Sequence, residues 1–173
     1  MESVATQIAR QVEKLKVLVV DDEPSMRKVA RALLQSIGIR NIHEAGDGST
    51  GLEKICMRAP DIVILDWEMP SPNGPEFMRM LRSPGKFPMP DVPVIMLTGY
   101  SERSRVVEAM RLGVNEYLLK PVSSTALLAR IVSILVKPRP MVKRGEYYGP
   151  EPRPTASSKP AVDIDPSRIA LVD

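Results

Sequence analysis

Ile62-Val63-Ile64-Leu65 is an unbroken apolar run, mostly β-branched, and Asp66 follows it at once. A strand covered on one face alternates apolar and polar residues. A run without alternation fits a strand buried on both faces, as in a parallel sheet held between helices. Asp66 then stands at the carboxyl end of that strand, the edge where open α/β sheets place their ligands. The loop after it, Pro70-Ser71-Pro72-Asn73-Gly74, is rich in proline and glycine.

The same pattern recurs along the chain. Val17-Leu18-Val19-Val20 is a second apolar run and ends in Asp21-Asp22-Glu23. Pro24 opens a helix at a position where its missing N–H costs nothing. Met26, Val29, Ala30, Leu33, Leu34 and Ile37 recur at helical spacing before Gly38. Residues 41–45 form a weaker strand, and Gly46-Asp47-Gly48 turns into a helix carrying Leu52, Ile55, Cys56 and Ala59. After the central strand, Phe77, Met78 and Leu81 share one helical face. Residues 83–90 are too proline-rich to be regular. Val92-Pro93-Val94-Ile95-Met96-Leu97 reads as a fourth strand with its proline near the start and stops at Thr98-Gly99, Ser101 is the expected N-cap of the next helix, and Gly113 follows that helix. A short strand over 116–119 ends at Lys120-Pro121, and Ser123 or Ser124 caps a final helix carrying Leu127, Leu128, Ile131, Ile134 and Leu135. Five strand–helix alternations predict an α/β fold, a doubly wound parallel sheet with helices on both faces and right-handed crossovers.

Three regions follow. Residues 1–15 place Val4, Ile8, Val12 and Leu15 at the spacing of a weak amphipathic helix, which would dock on the domain, mediate a homodimer or fray. Residues 16–137 hold the sheet. The composition changes at Pro138, and residues 138–173 are proline-rich without apolar periodicity, so an extended or disordered tail is expected. A single cysteine rules out an intrachain disulfide framework and suits a reducing cytoplasm. The N-terminus lacks the basic start and apolar stretch of a signal peptide, and no apolar run reaches the length of a membrane span. The net charge of +3 comes from interspersed charges, which argues for a solvated surface and against a nucleic-acid footprint.

The strand ends carry the chemistry. Asp21, Asp22, Asp66, Thr98 and Lys120 all stand at one edge of the expected sheet. Clustered carboxylates repel, so a cation should join them, and hard oxygen ligands without nearby His or Cys favour Mg²⁺. A metal site, a lone nucleophilic carboxylate, an amine and a hydroxyl together suit phosphoryl transfer to an aspartate.

In this light residues 16–137 resemble the receiver domain of two-component response regulators, the CheY-like family. The matching segments are Val19-Val20-Asp21-Asp22-Glu23, Ile64-Leu65-Asp66-Trp67-Glu68-Met69-Pro70, Leu97-Thr98-Gly99 and Tyr117-Leu118-Leu119-Lys120-Pro121. The resemblance implies the flavodoxin-like strand order 2-1-3-4-5. It implies Asp66 as acceptor of a phosphoryl group from a histidine kinase, with Lys120 pairing with the carboxylate or acyl phosphate. Asp22 and Asp21, with Asp66 and the Glu68 backbone carbonyl, would hold Mg²⁺. Thr98 would move to a phosphoryl oxygen, Tyr117 would change rotamer with it, and Lys120-Pro121 would be a cis peptide. The chain would then not be an enzyme in the ordinary sense, acting only on its own aspartyl phosphate. Its implied partners are a sensor histidine kinase or phosphotransfer protein and a downstream protein target, reached by protein–protein contacts.

Other readings stay open at this level. The chain could be a phosphorylation-independent binding module, or the receiver portion of a longer regulator. Tail binding to nucleic acid through Arg139, Lys143, Arg144 and Arg153 is weakened by Glu146 and Glu151. A metal-dependent phosphatase would need Glu68 in place of the usual second aspartate. Cys56 reads as a helix core residue, and Val106, Val107, Met110 and Leu112 as a partly exposed apolar patch suited to a partner.

Overall fold

The computed structural model describes residues 1–99 and 103–153. Five parallel strands, β1 (Lys16–Val20), β2 (Asn41–Ala45), β3 (Ile62–Asp66), β4 (Val94–Thr98) and β5 (Glu116–Leu119), form one sheet in the order β2-β1-β3-β4-β5. Six helices accompany them: α1 (Val4–Glu13), α2 (Pro24–Ser36), α3 (Gly48–Arg58), α4 (Gly74–Leu81), α5 (Arg103–Arg111) and α6 (Ser124–Val136).

The unalternating strands have a plain cause. Successive side chains point to opposite faces, and both faces are covered. Leu18, Val20, Val63, Leu65, Val94 and Met96 pack with Ile55, Phe77, Met78, Leu81, Val106 and Ala109 of α3, α4 and α5. Val17, Val19, Ile62, Ile64, Ile95 and Leu97 pack with Val12, Ala30, Leu34, Leu127 and Ile131 of α1, α2 and α6. The N-terminal helix therefore lies on the domain, with Val12 buried and Val4 exposed.

Helix ends follow local chemistry. Asp47 accepts from the Thr50 N–H at 2.7 Å, Ser123 caps α6 through the Ala126 N–H, and Asn73 and Glu76 form a capping box at α4. Ser101, the expected cap of α5, lies outside the described residues. Gly74 is tied to Trp67 so closely that an added Cβ would stand 2.3 Å from the indole and 2.9 Å from Trp67 Cα. Among the described residues no helix is long and apolar enough to cross a membrane.

Three sequence expectations are corrected. Cys56 is exposed, because the buried stripe of α3 runs through Gly51 and Ile55 instead. Val106 is fully buried under α5 and belongs to the core, while Val107, Met110 and Leu112 are half-buried. The C-terminal region through residue 153 is ordered, whereas residues 154–173 lie outside the described residues. Strands β6 (Met141–Arg144) and β7 (Tyr147–Pro150) form an antiparallel hairpin, closed by a two-residue turn in which Gly145 has φ +60°.

Hydrogen bonds and close backbone contact, more than apolar area, hold this hairpin. Arg139 donates to the Asn115 carbonyl at 2.6 Å, Tyr148 donates to Asp91, and Arg153 pairs with Glu116. Gly149 lies against Gly113, where a Cβ on Gly149 would come within 2.7 Å of the Gly113 Cα. Arg82, at the end of α4, is buried beneath the same corner and donates to the carbonyls of Pro90, Val92 and Gly113 and to Asn115 Oδ1. All these anchors lie at the amino ends of β4 and β5.

Candidate functional site

The register of the sheet assembles the site. Val20 pairs with Leu65, Asp66 with Leu97 and Thr98 with Leu119, so residues at the four strand ends come to one edge. Asp21, Asp22 and Asp66 each offer a carboxylate oxygen, and these oxygens lie within 4.8 Å of one another. Lys120 reaches in from the end of β5, its Nζ 2.8 Å from Asp66 Oδ1. The Lys120-Pro121 peptide is cis, as is Ser71-Pro72.

Asp66 and Asp21 are only 3% and 4% exposed, and this sets their chemistry. Burial pushes the Asp66 carboxyl up to about 6, against the pull of the Lys120 hydrogen bond, with the charges of Asp21 and Glu68 adding to the rise. Burial also raises Asp21, although the Glu23 N–H donates to its Oδ1 at 2.9 Å. Burial alone would lower Lys120, yet its hydrogen bond and charge contact with Asp66 hold it above the usual amine range. Three carboxylate oxygens facing one space with a single nearby amine are a donor set that fits a hard divalent cation.

The sign of the Asp66 shift gives a test. An unfolded aspartyl group titrates near about 3.9. The folded one titrates near 6, so the fold holds the extra proton between those values and stability falls as pH rises through the window. In metal-free urea unfolding, Asp66→Asn is expected to gain stability relative to wild type as pH rises from about 4 to about 7. A difference independent of pH would contradict the raised value.

Thr98 and Glu68 are joined through their side chains. Thr98 is fully buried, and its Oγ1 donates to Glu68 Oε1 at 2.5 Å. The Gly99 N–H approaches the other carboxylate oxygen at 3.4 Å. Tyr117 is buried in the core cluster that includes Val106 and Ala109.

Residues 17–132 match the response regulator receiver domain family. The chain belongs to the response regulator receivers. It is 33% identical over 122 residues to the chemotaxis protein CheY-3 of Vibrio cholerae, covering 70% of this chain and 92% of that protein. It is 34% identical over 120 residues to the chemotaxis protein CheY of Pseudomonas aeruginosa, covering 69% and 95%. Among solved structures, the receiver domain of the Francisella response regulator 1452 aligns with TM-score 0.63 and 31% identity, covering 72% of this chain and 98% of that one. The chemotaxis response regulator CheY4 of Vibrio cholerae aligns with TM-score 0.60 and 31% identity, covering 68% and 95%. This is a receiver of the CheY type, a signalling protein of two-component systems.

The sequence reading of this receiver missed two contacts at the site. Arg27 of α2 donates to the Asp21 backbone carbonyl at 2.7 Å and pairs with Glu44 at 3.3 Å, fixing the loop that carries the acidic pair. Its signal was available, since Arg27 stands one helical turn into the helix that follows the acids. The Glu68 side chain bonds Thr98, 30 positions away and beyond any local pattern.

Proposed function

We propose that this receiver is switched by phosphorylation of Asp66, with Mg²⁺ at the acidic cluster, and signals through protein–protein contacts. The observation that carries the reading is the ammonium of Lys120 at 2.8 Å from a buried carboxylate that shares its site with two further acids. An Asp66 carboxylate oxygen attacks the phosphorus of a phosphohistidine. The P–N bond breaks, and the imidazole leaves with the bonding pair. Lys120 keeps Asp66 ionised near neutral pH and offsets the negative charge that arrives. Asp21, Asp22, Asp66 and the Glu68 carbonyl would hold Mg²⁺, which when bound supplies positive charge that offsets the carboxylates and the arriving phosphoryl group.

The added charge, about −1.5 to −2, and three acceptor oxygens then recruit the Thr98 hydroxyl. Rearrangement of Thr98 and Tyr117 would bias the α5–β5 face toward its target, with a sensor histidine kinase or phosphotransfer protein as donor. Incubation with acetyl phosphate and Mg²⁺ followed by intact-mass measurement tests the reading. One phosphoryl group is expected on wild type and none on Asp66→Ala. No gain on wild type, or a gain that survives the substitution, would overturn the reading of Asp66 as acceptor.

A further inference from the structure

A threonine hydroxyl has one proton and gives it to one acceptor at a time. Here the acceptor is a carboxylate, so the bond is charge-assisted, and at 2.5 Å it is short. The second oxygen of Glu68 faces the Gly99 N–H at 3.4 Å, so both oxygens are turned toward the end of β4. A phosphoryl oxygen on Asp66 would need that same hydroxyl proton. Glu68 is only half-buried, so water is available to receive its carboxylate once it is displaced. Among the described residues nothing outside its chain neighbours lies within 4 Å of where a Cβ on Gly99 would stand.

Resting on the reading of Asp66 as phosphoacceptor, we propose that Glu68 is an electrostatic latch, a positioning residue that holds Thr98 in the unphosphorylated arrangement and is expelled by the incoming phosphoryl charge. Glu68 already acts on Asp66 as a like charge. Adding about −1.5 to −2 charges there strengthens the repulsion and at the same moment supplies the replacement acceptor. The proton stays on the threonine oxygen throughout, and only its acceptor changes. Loss of the old bond and gain of the new one are therefore coupled, which keeps the resting state off and the switched state on.

The latch is tested with beryllofluoride, an acyl-phosphate mimic, at saturating Mg²⁺. Binding is read from the fluorescence of Trp67, the only tryptophan, which is buried and adjacent to Asp66. Glu68→Ala removes both the competing acceptor and the repulsion, and the mimic is expected to bind about tenfold more tightly, the scale of one hydrogen bond to a charged group. In a Thr98→Ala background, where no hydroxyl is latched, the same change is expected to gain less than about twofold. Thr98→Ser keeps the hydroxyl and restores the tenfold gain. Equal gains in the threonine and alanine backgrounds would show that Glu68 acts as a bare charge and would overturn the latch. A wild-type protein that fails to respond to the mimic would instead overturn the Asp66 reading, and the latch with it. Urea midpoints of the variants verify that each is folded.

Discussion

Lys120→Ala is expected to lower the rate of phosphorylation by acetyl phosphate at least about 100-fold, the cost of removing one preorganised charged donor from a reacting centre. The structure gives two reasons. The ammonium is the cation bonded to Asp66, at 2.8 Å, and Asp66 is almost fully buried. Without it the burial and the neighbouring acids that raise the Asp66 carboxyl lose the amine that counters them, so less of it is the ionised nucleophile at neutral pH. The positive charge that would meet the incoming phosphoryl group is lost as well. Divalent-metal affinity should move the other way, because a cation that competes for the carboxylates has gone. A Trp67 fluorescence titration with Mg²⁺, beside a phosphorylation time course, reads both. Tighter metal binding with slower phosphorylation is the expected pair. Parallel loss of both would indicate a collapsed site and would contradict the assigned role.

Arg82→Ala is expected to cost about 3–5 kcal/mol, the largest stability effect among these substitutions and much of the margin of a domain this size. The guanidinium is buried and donates to three backbone carbonyls at 2.6 to 3.0 Å and to Asn115 Oδ1 at 2.9 Å. Burial lowers its pKa to about 10, which leaves it charged at neutral pH. Truncation takes the guanidinium donor from three backbone carbonyls, leaves Asn115 Oδ1 only the Val94 N–H, and opens a cavity under the turn that carries Gly113. Because Gly149 packs on Gly113, the hairpin should lose amide-exchange protection in the same variant. Urea unfolding measures the first effect and hydrogen exchange the second. Lysine should restore only part of the loss, since one compact ammonium cannot reproduce a planar fork that meets acceptors on several segments. A change below about 1 kcal/mol would show that these bonds are replaced by water.

The main sheet and the acidic site were legible because their causes are local in sequence. A strand buried on both faces must be apolar throughout, and each such run here ends in a residue that cannot be part of the core by chance so often: Asp21, Asp66, Thr98, Lys120. The hairpin was not legible, because the rule that order requires buried apolar area does not apply to it. Its order rests on Arg139, Tyr148 and Arg153 finding acceptors on distant loops, and on two glycines close enough to touch. Arg82 looks in the sequence like any helical arginine. Only the meeting of α4 with the turns before β4 and β5 gives it four acceptors. Cys56 shows the limit of periodicity in a helix whose buried stripe is narrow.

The placement of the hairpin gives the two ends of the sheet different work. Its anchors, Asp91, Gly113, Asn115 and Glu116, mark the pole of the sheet opposite the one where Asp66 opens. The end of α1 reaches β1 at that same far pole, through Leu15 next to Lys16. The hairpin is therefore held at the end of the sheet away from Asp66. The two poles of one sheet are thus divided between an acidic cluster and a structural buttress.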